Sequence, residues 1–245
     1  MRSPIPILTY HQVETPPAPG MPYRSLVVAP ATFARQMALL KALGYRGLSM
    51  SALEPYLRGQ RRGRVVGITL DDGYVNNLEH ALPVLQRHGF SATCYIVSGQ
   101  MGGSNVWDRE KGIAAKPMMD ARQLKAWVAG GQEIGAHTRN HVDLRQAHDA
   151  GAFQEIAGCK RELEHRVETE VRHFCYPYGS HDPKHAAMAR ALGFATATTT
   201  ERGRAGADDD LFELPRVPVL RTTSLPVLWL KIATGYEDRK RRPQA

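Results

Sequence analysis

The chain has 245 residues, 42% of them hydrophobic and 23% charged, with a formal net charge of +8. That length and balance suit one full domain with a substantial buried core and exclude a disordered, repetitive or fibrous chain. The charge is partly local, because Arg239, Lys240, Arg241 and Arg242 crowd one end, and no nucleic-acid motif accompanies it, so no nucleic-acid partner is expected.

Cys94, Cys159 and Cys175 are odd in number and lack CxxC spacing, which implies buried reduced thiols and no disulfide framework. The opening Met1-Arg2-Ser3-Pro4-Ile5-Pro6 lacks the apolar stretch of a signal peptide, and no window approaches the length of a membrane span. On the sequence as given, the expectation is a cytoplasmic protein without a transmembrane segment; a trimmed extracytoplasmic chain would look the same.

Strand-like and helix-like segments alternate almost from end to end. Residues 5–10 form an apolar run ending in Tyr10-His11, and Pro16, Pro17, Pro19 and Pro22 then make an irregular loop. Thr32 reads as a helix N-cap, with Phe33, Met37 and Leu40 on one face and Gly44 as the stop. Residues 65–70, rich in β-branched side chains, predict a buried strand. A helix follows Gly73, with Val75, Leu78, Ala81, Leu82 and Leu85 in register, Gly89 as its end and Pro83 as a kink or early break.

Residues 92–97 are the next strand. A glycine-rich loop over 101–104 and Trp107-Asp108 leads to a helix capped by Asp120, with Leu124, Trp127 and Val128 inward. Residues 133–136 make a short strand ending at His137; Phe153, Ile156, Leu163 and Val167 mark an amphipathic helix, and residues 171–176 another strand. Asp182-Pro183 is a cap and first-turn pair opening a helix that stops at Gly193. Residues 194–198 and 216–219 are the last strands, with a closing helix from about Ser224.

This alternation predicts an α/β fold with a parallel sheet. About seven strands favour a single-domain, distorted (β/α) barrel over residues 1–235, followed by a loose basic tail over 236–245. In parallel barrels, functional side chains collect where strands end. Each polar cluster lies at such an end: His11, Asp71-Asp72, His137 to His141, and Tyr176 to Gly179.

Neighbouring strand residues face opposite ways, so Asp71 and Asp72 share a site only if the backbone turns, which Gly73 permits. The plainer reading of Asp-Asp-Gly is a helix cap. His137 and His141, four apart, would project from one face of a helical turn toward one ion. By itself that spacing is weak among ten histidines; beside an acid pair at another strand end it gains weight. Asp72, His137 and His141 would then be three ligands of a divalent cation, leaving positions for water and substrate. Asp71 would be the spare carboxylate that takes a proton from a water whose pKa the cation lowers.

Three segments carry a family resemblance. Ile68-Thr69-Leu70-Asp71-Asp72-Gly73-Tyr74 resembles the first motif of the polysaccharide deacetylases, also called NodB-homology domains or family-four carbohydrate esterases. Gly135-Ala136-His137-Thr138-Arg139-Asn140-His141 resembles the second, and Phe174-Cys175-Tyr176-Pro177-Tyr178-Gly179 the third. Leu8-Thr9-Tyr10-His11, with Gln36-Met37 and Gly44-Tyr45, is similar to the poly-N-acetylglucosamine N-deacetylase branch. The likeness runs from about residue 5 to 220.

The resemblance implies a distorted barrel and a divalent metal, Zn²⁺ first, with Co²⁺, Ni²⁺ or Fe²⁺ as alternatives. Asp71 would be the base, Asp72, His137 and His141 the ligands, and the backbone N–H near Tyr178 an oxyanion donor. Many members protonate the leaving amine with a histidine near the C-terminus, but none follows His185 here. In the poly-N-acetylglucosamine branch the early Tyr-His element supplies it, making His11 the candidate acid; its plainer reading is a strand-end residue packed on the proline-rich loop. Cys175 stands where many relatives carry an arginine that holds the catalytic aspartate. Arg216 could supply that guanidinium or be a surface charge, and Arg172 is a weaker rival.

Tyr176, Pro177, Asn105 and Trp107 are candidates for the substrate wall, though Trp107 equally suits packing beneath its loop. The expected activity is removal of N-acetyl groups from a carbohydrate of N-acetylglucosamine type. The same motifs are compatible with hydrolysis of another C–N bond, in a cyclic amide, ureide or formylated sugar, or with a non-catalytic carbohydrate-binding protein. Oligomeric state is not legible.

Overall fold

The computed structural model describes residues 3–241. In chain order the strands are β1 (Ile7–Tyr10), β2 (Gln12–Val13), β3 (Val27–Val28), β4 (Arg46–Leu48), β5 (Val65–Leu70), β6 (Thr93–Ile96), β7 (Glu133–Ala136), β8 (His173–Cys175), β9 (Thr196–Arg202) and β10 (Leu214–Pro218). Seven of them, β1 and β5 to β10, close into a parallel barrel, with β1 paired to β5 on one side and β10 on the other. The helices are α1 (Pro30–Ala42), α2 (Met50–Leu57), α3 (Leu82–His88), α4 (Ala121–Ala129), α5 (Asp149–Val167), α6 (Pro183–Ala191) and α7 (Leu225–Ala233). The expected single-domain (β/α) barrel is thus what the chain forms.

Its distortion has a local cause. β4 pairs with the first half of β5 (Leu48↔Gly67), while β6 pairs with the second half (Thr69↔Thr93). β4 therefore wedges between β5 and β6 at the N-terminal end of the strands, the floor of the barrel. From β4 the chain enters α2, whose Met50, Leu53, Tyr56 and Leu57 pack with Ile7, Val65, Tyr95 and Leu214 and plug that floor.

The barrel also explains why functional side chains meet at the opposite end. Strand side chains alternate with a period of two. On β5, Val66, Ile68 and Leu70 face the helix-covered core, whereas Val65 belongs to the inner cluster. Continuing the inner column through Gly67 and Thr69 brings Asp71 into the mouth. The same two-residue step carries Ile7 to His11 on β1, Glu133 to His137 on β7, and Leu214 to Arg216 on β10. Four chain-distant residues thus follow inward columns toward one opening.

Several expected boundaries shift. α1 starts at Pro30 with Ala29 as its cap, not at Thr32, because proline at the first position presets the helical φ. The segment after Gly73 is broken as expected near Pro83: a π-turn spans Asn77–Ala81 before α3, which ends at Gly89 in left-handed conformation. Phe153 is 38% exposed, and Ala152 and Ile156 hold the inward face of α5 instead. The last strands run over Thr196–Arg202 and Leu214–Pro218.

The region from 236 is not loose as far as 241. Glu237 is fully buried and pairs with Lys231 at 2.6 Å and Arg202 at 2.7 Å, and Arg241 reaches Asp209 at 2.8 Å. Residues 242–245, the rest of the expected tail, lie outside the described residues. All three cysteines are free and buried. Among the described residues, no helix is long and apolar enough to cross a membrane.

Candidate active site

The acid pair is built by a backbone turn. Asp71 ends the inner column of β5, and the next two residues adopt positive φ, +79° at Asp72 and +94° at Gly73. A Cβ on Gly73 would also lie 3.0 Å from the Ile96 side chain, so glycine serves both conformation and space. The turn brings both carboxylates to one pocket with different partners.

Asp71 meets Arg216 as a fork: Nη1 donates to Oδ1 and Nη2 to Oδ2, each at 2.7 Å. Arg216 is 2% exposed and also donates to the Thr199 carbonyl at 2.7 Å, to Thr69 Oγ1 at 3.1 Å and to Cys175 Sγ at 3.2 Å. Burial alone would raise the Asp71 pKa, but Arg216 outweighs it and holds the carboxyl below its ordinary value. Arg172 is elsewhere, pairing with Glu54 at 2.9 Å on the floor.

Asp72 Oδ1 faces His137 Nε2 at 3.5 Å and His141 Nε2 at 3.4 Å. The two imidazoles do not lie on a helical turn. They flank a loop in which Thr138 and His141 have φ of +61° and +56°; His137 arrives by the β7 column and His141 by the chain folding back. Each ring is fixed through its outer nitrogen, His137 Nδ1 by the Cys175 carbonyl at 2.7 Å and His141 Nδ1 by the Tyr178 hydroxyl at 3.1 Å. Trp107 stacks on His141 at 4.6 Å and the Tyr178 ring meets it edge-on at 4.6 Å.

The inner atoms of this trio fit a divalent cation. Tetrahedral ligation with bonds near 2.1 Å gives ligand separations of about 3.4 Å, and the observed 3.4 and 3.5 Å agree. The electrostatics agree as well. Burial opposes charge on Asp72, yet bonds from both imidazoles hold its pKa well below normal. Burial also opposes charge on both rings: it loses at His137, which Cys175 and Asp72 lift well above the ordinary imidazole value, and wins at His141. The trio calls for one positive charge at its centre. Asp71, His137 and Cys175 also cluster, but Arg216 occupies both Asp71 oxygens and the Cys175 carbonyl occupies His137 Nδ1.

A pocket with about 110 Å³ of solvent-accessible space opens over the trio. Of the residues expected there, His11, Asp71, Asp72, Trp107, His137, His141, Tyr176 and Tyr178 line it. No hydrogen bond reaches the His11 ring among the described residues, although its backbone carbonyl accepts from Asn77 at 2.8 Å. Tyr176 is fully buried, stacked on His181 at 4.5 Å with its hydroxyl donating to the Phe212 carbonyl at 3.0 Å, so it offers a wall and no free polar group.

Two expected substrate residues lie outside the pocket. Asn105 is buried and accepts from the Lys116 backbone at 2.7 Å, bracing the loop that carries Trp107. Pro177 is buried in the turn that presents Tyr178. Several lining residues carry no site role in the sequence reading: Tyr74, Gln12, Tyr23, Leu26, Ile113 and Thr200. Tyr74 follows the acid-glycine turn directly, which was a usable signal. Tyr23 and Thr200 had none.

A parallel barrel with an arginine-held acid beside a carboxylate–imidazole trio that could hold a cation is the frame of a barrel hydrolase. The sequence profile of the polysaccharide deacetylase family matches residues 58–197, more than half of the chain, and the chain belongs to that family. It is 27% identical over 217 residues to YxkH of Bacillus subtilis (strain 168), covering 88% of this chain and 71% of that protein. It is 21% identical over 199 residues to the poly-beta-1,6-N-acetyl-D-glucosamine N-deacetylase of Staphylococcus aureus (strain MSSA476), covering 78% and 67%. Among solved structures it is similar to the Streptococcus pyogenes deacetylase PplD in complex with acetate, with a TM-score of 0.81 and 26% identity over 95% of this chain and 99% of that one.

Proposed function

We propose that this deacetylase removes N-acetyl groups from a glycan of N-acetylglucosamine type, using a divalent cation, Zn²⁺ first, held by Asp72, His137 and His141. The observation that carries the reading is the division of labour in the acid pair. One carboxylate faces two ring nitrogens with a single oxygen, while the other is held apart in the Arg216 fork. When bound, the cation supplies Lewis-acid polarisation of the acetyl carbonyl and lowers the pKa of a water.

The chain's own groups do the rest. Asp71 accepts the proton of the attacking water, and the Arg216 fork fixes the direction of its oxygens. The Tyr178 backbone N–H donates to the oxyanion that forms as the carbonyl becomes tetrahedral. The C–N bond then breaks, and His11 gives a proton to the departing sugar amine. His11 suits that task because it lines the same pocket and its ring is not committed elsewhere. Acetate and a free amino sugar leave.

The staphylococcal relative's named substrate supports a β-1,6-linked N-acetylglucosamine polymer as the first to try. The test is acetate release by zinc-loaded protein from β-1,6-linked N-acetylglucosamine oligomers, run beside N-formylated sugars, cyclic amides and ureides. Turnover confined to the cyclic compounds would overturn the substrate assignment. Full activity after exhaustive chelation would overturn the cation.

A further inference from the structure

Three loops far apart in sequence meet over the pocket mouth, and they meet on one hydroxyl. Tyr178 has φ of +58°, and its carbonyl accepts from Thr200 Oγ1 at 3.0 Å. Its side chain lies over His141, with the hydroxyl 3.1 Å from Nδ1. The same oxygen is 3.4 Å from Lys111 Nζ. Lys111 is itself pinned, 3.1 Å from Asp108 Oδ1, 4.8 Å over the Tyr178 ring and 5.5 Å from the Tyr23 ring. Among the described residues, His141 and Lys111 are the two hydrogen-bond neighbours of the Tyr178 hydroxyl.

Donor accounting then fixes where the phenolic proton goes. An ammonium donates and never accepts. A neutral imidazole that gives its Nε2 lone pair to a cation carries its proton on Nδ1 and donates from there. A phenol oxygen accepts up to two hydrogen bonds and donates one. With Lys111 and His141 Nδ1 both donating, the Tyr178 proton has no acceptor on either neighbour, and Tyr178 lines the pocket with 46% of its surface exposed.

We propose that the Tyr178 hydroxyl is a hydrogen-bond donor to an oxygen acceptor of the bound sugar, kept in that role by Lys111, a positioning residue, and by the cation-bound form of His141. This rests on the cation-dependent reading above, and it adds a recognition contact made by the side chain, distinct from the backbone N–H of the same residue. It also ties sugar binding to the cation. Without one, a neutral His141 that donates from Nε2 to Asp72 leaves Nδ1 to accept the Tyr178 proton instead.

The test uses the full chain with Tyr178→Phe, Lys111→Met and Lys111→Arg. A β-1,6-linked N-acetylglucosamine tetramer is titrated calorimetrically into zinc-loaded and zinc-free protein, each also carrying Asp71→Asn so that turnover is slow on the timescale of the titration. Zinc affinity is measured in parallel by competition with a chelating dye, and KM and kcat on the proteins that retain Asp71. Zinc loading should tighten tetramer binding about tenfold in the parent, and Tyr178→Phe should remove most of that gain. Tyr178→Phe should also weaken zinc about tenfold through the lost partner of His141.

Lys111→Met should raise KM several-fold with kcat nearly unchanged, and Lys111→Arg should restore it, because guanidinium is likewise a donor only. Equal tetramer affinity in zinc-loaded Tyr178→Phe and its parent would overturn the proposal, as would sugar binding in the parent that ignores zinc. If the parent releases no acetate, the proposed function fails on its own account. If it does and Tyr178→Phe matches it in KM, only the present inference fails.

Discussion

The barrel carries acids, imidazoles and hydroxyls at both of its ends, and only one end is open to chemistry. At the floor, Thr93, Glu133, His173 and Thr196 are the first residues of β6, β7, β8 and β9. Glu133 accepts from Ser51 Oγ, from Ser51 N at 3.1 Å and from Thr93 Oγ1 at 2.5 Å. His173 bridges Ser51 Oγ and Thr196 Oγ1, each at 2.9 Å. Donors and acceptors pair off, and the network locks α2 to the barrel. At the mouth, the outer atoms of His137 and His141 are paired, but their Nε2 atoms converge on a single carboxylate oxygen. Residue type does not separate a lock from a site; unequal pairing of donors and acceptors does.

The largest effects should come from the mouth and spare stability. Asp72→Ala, His137→Ala and His141→Ala should each strip the cation and lower acetate release by about three orders of magnitude or more, with thermal stability of the metal-free protein within a few degrees of the parent. Full zinc content in any of them, by elemental analysis, would remove that residue from the ligand set. Asp71→Asn should lose about 10²–10⁴ in kcat while keeping its zinc; loss of zinc instead would mean that the two acids have exchanged roles. Arg216→Lys keeps the charge but not the fork, so its rate should fall between those of the parent and Arg216→Ala. Parent-like kcat in Arg216→Lys would reduce the fork to a charge.

The floor should show the reverse pattern. Glu133→Ala leaves the Ser51 N–H, the Ser51 hydroxyl and the Thr93 hydroxyl without their shared acceptor. That should cost about 2–4 kcal/mol in urea unfolding, with zinc content and kcat of the folded fraction unchanged. A fall in kcat without a fall in stability would erase the distinction between the two ends.

How much of this could be read beforehand follows from which contacts are local. The strand-helix alternation and the acid-glycine turn are local, and both were legible. The placing of His11, Asp71 and His137 at strand ends was legible too, whereas Arg216 was left open between a partner of the acid and a surface charge, because the strand that points it inward begins at Leu214, before the expected start. β4, only three residues long, was not, nor was α2 with Pro55 inside it, since neither is long enough to show a period. His137 and His141 were expected on a helical turn; the spacing was informative although the backbone is a loop with two left-handed residues. Asn105 was misjudged because only the fold decides whether a polar loop residue faces the pocket or braces its own loop. Lys111 and Tyr23 carried no signal, as their role arises where chain segments near 23, 111 and 178 converge.

The smallest predicted effect concerns the pH dependence of the floor. Burial lowers the His173 pKa below the ordinary imidazole value; Glu133, Glu54 and Glu170 pull the other way, Arg172 adds to the lowering, and burial prevails. A histidine kept neutral in the fold binds its proton more readily when unfolded. Its contribution is therefore present above the unfolded value near 6.5 and is lost progressively as pH falls from there toward the lowered folded pKa. Other histidines also titrate in this range, so the measurement is a difference: urea unfolding of the parent and His173→Gln at intervals from pH 7.5 to about pH 5. The parent should lose stability more steeply than the variant below pH 6.5. Parallel curves would mean that His173 takes up its proton in the folded barrel as easily as in the open chain, with Glu133 as its counter-ion, and the floor would then be an ion pair.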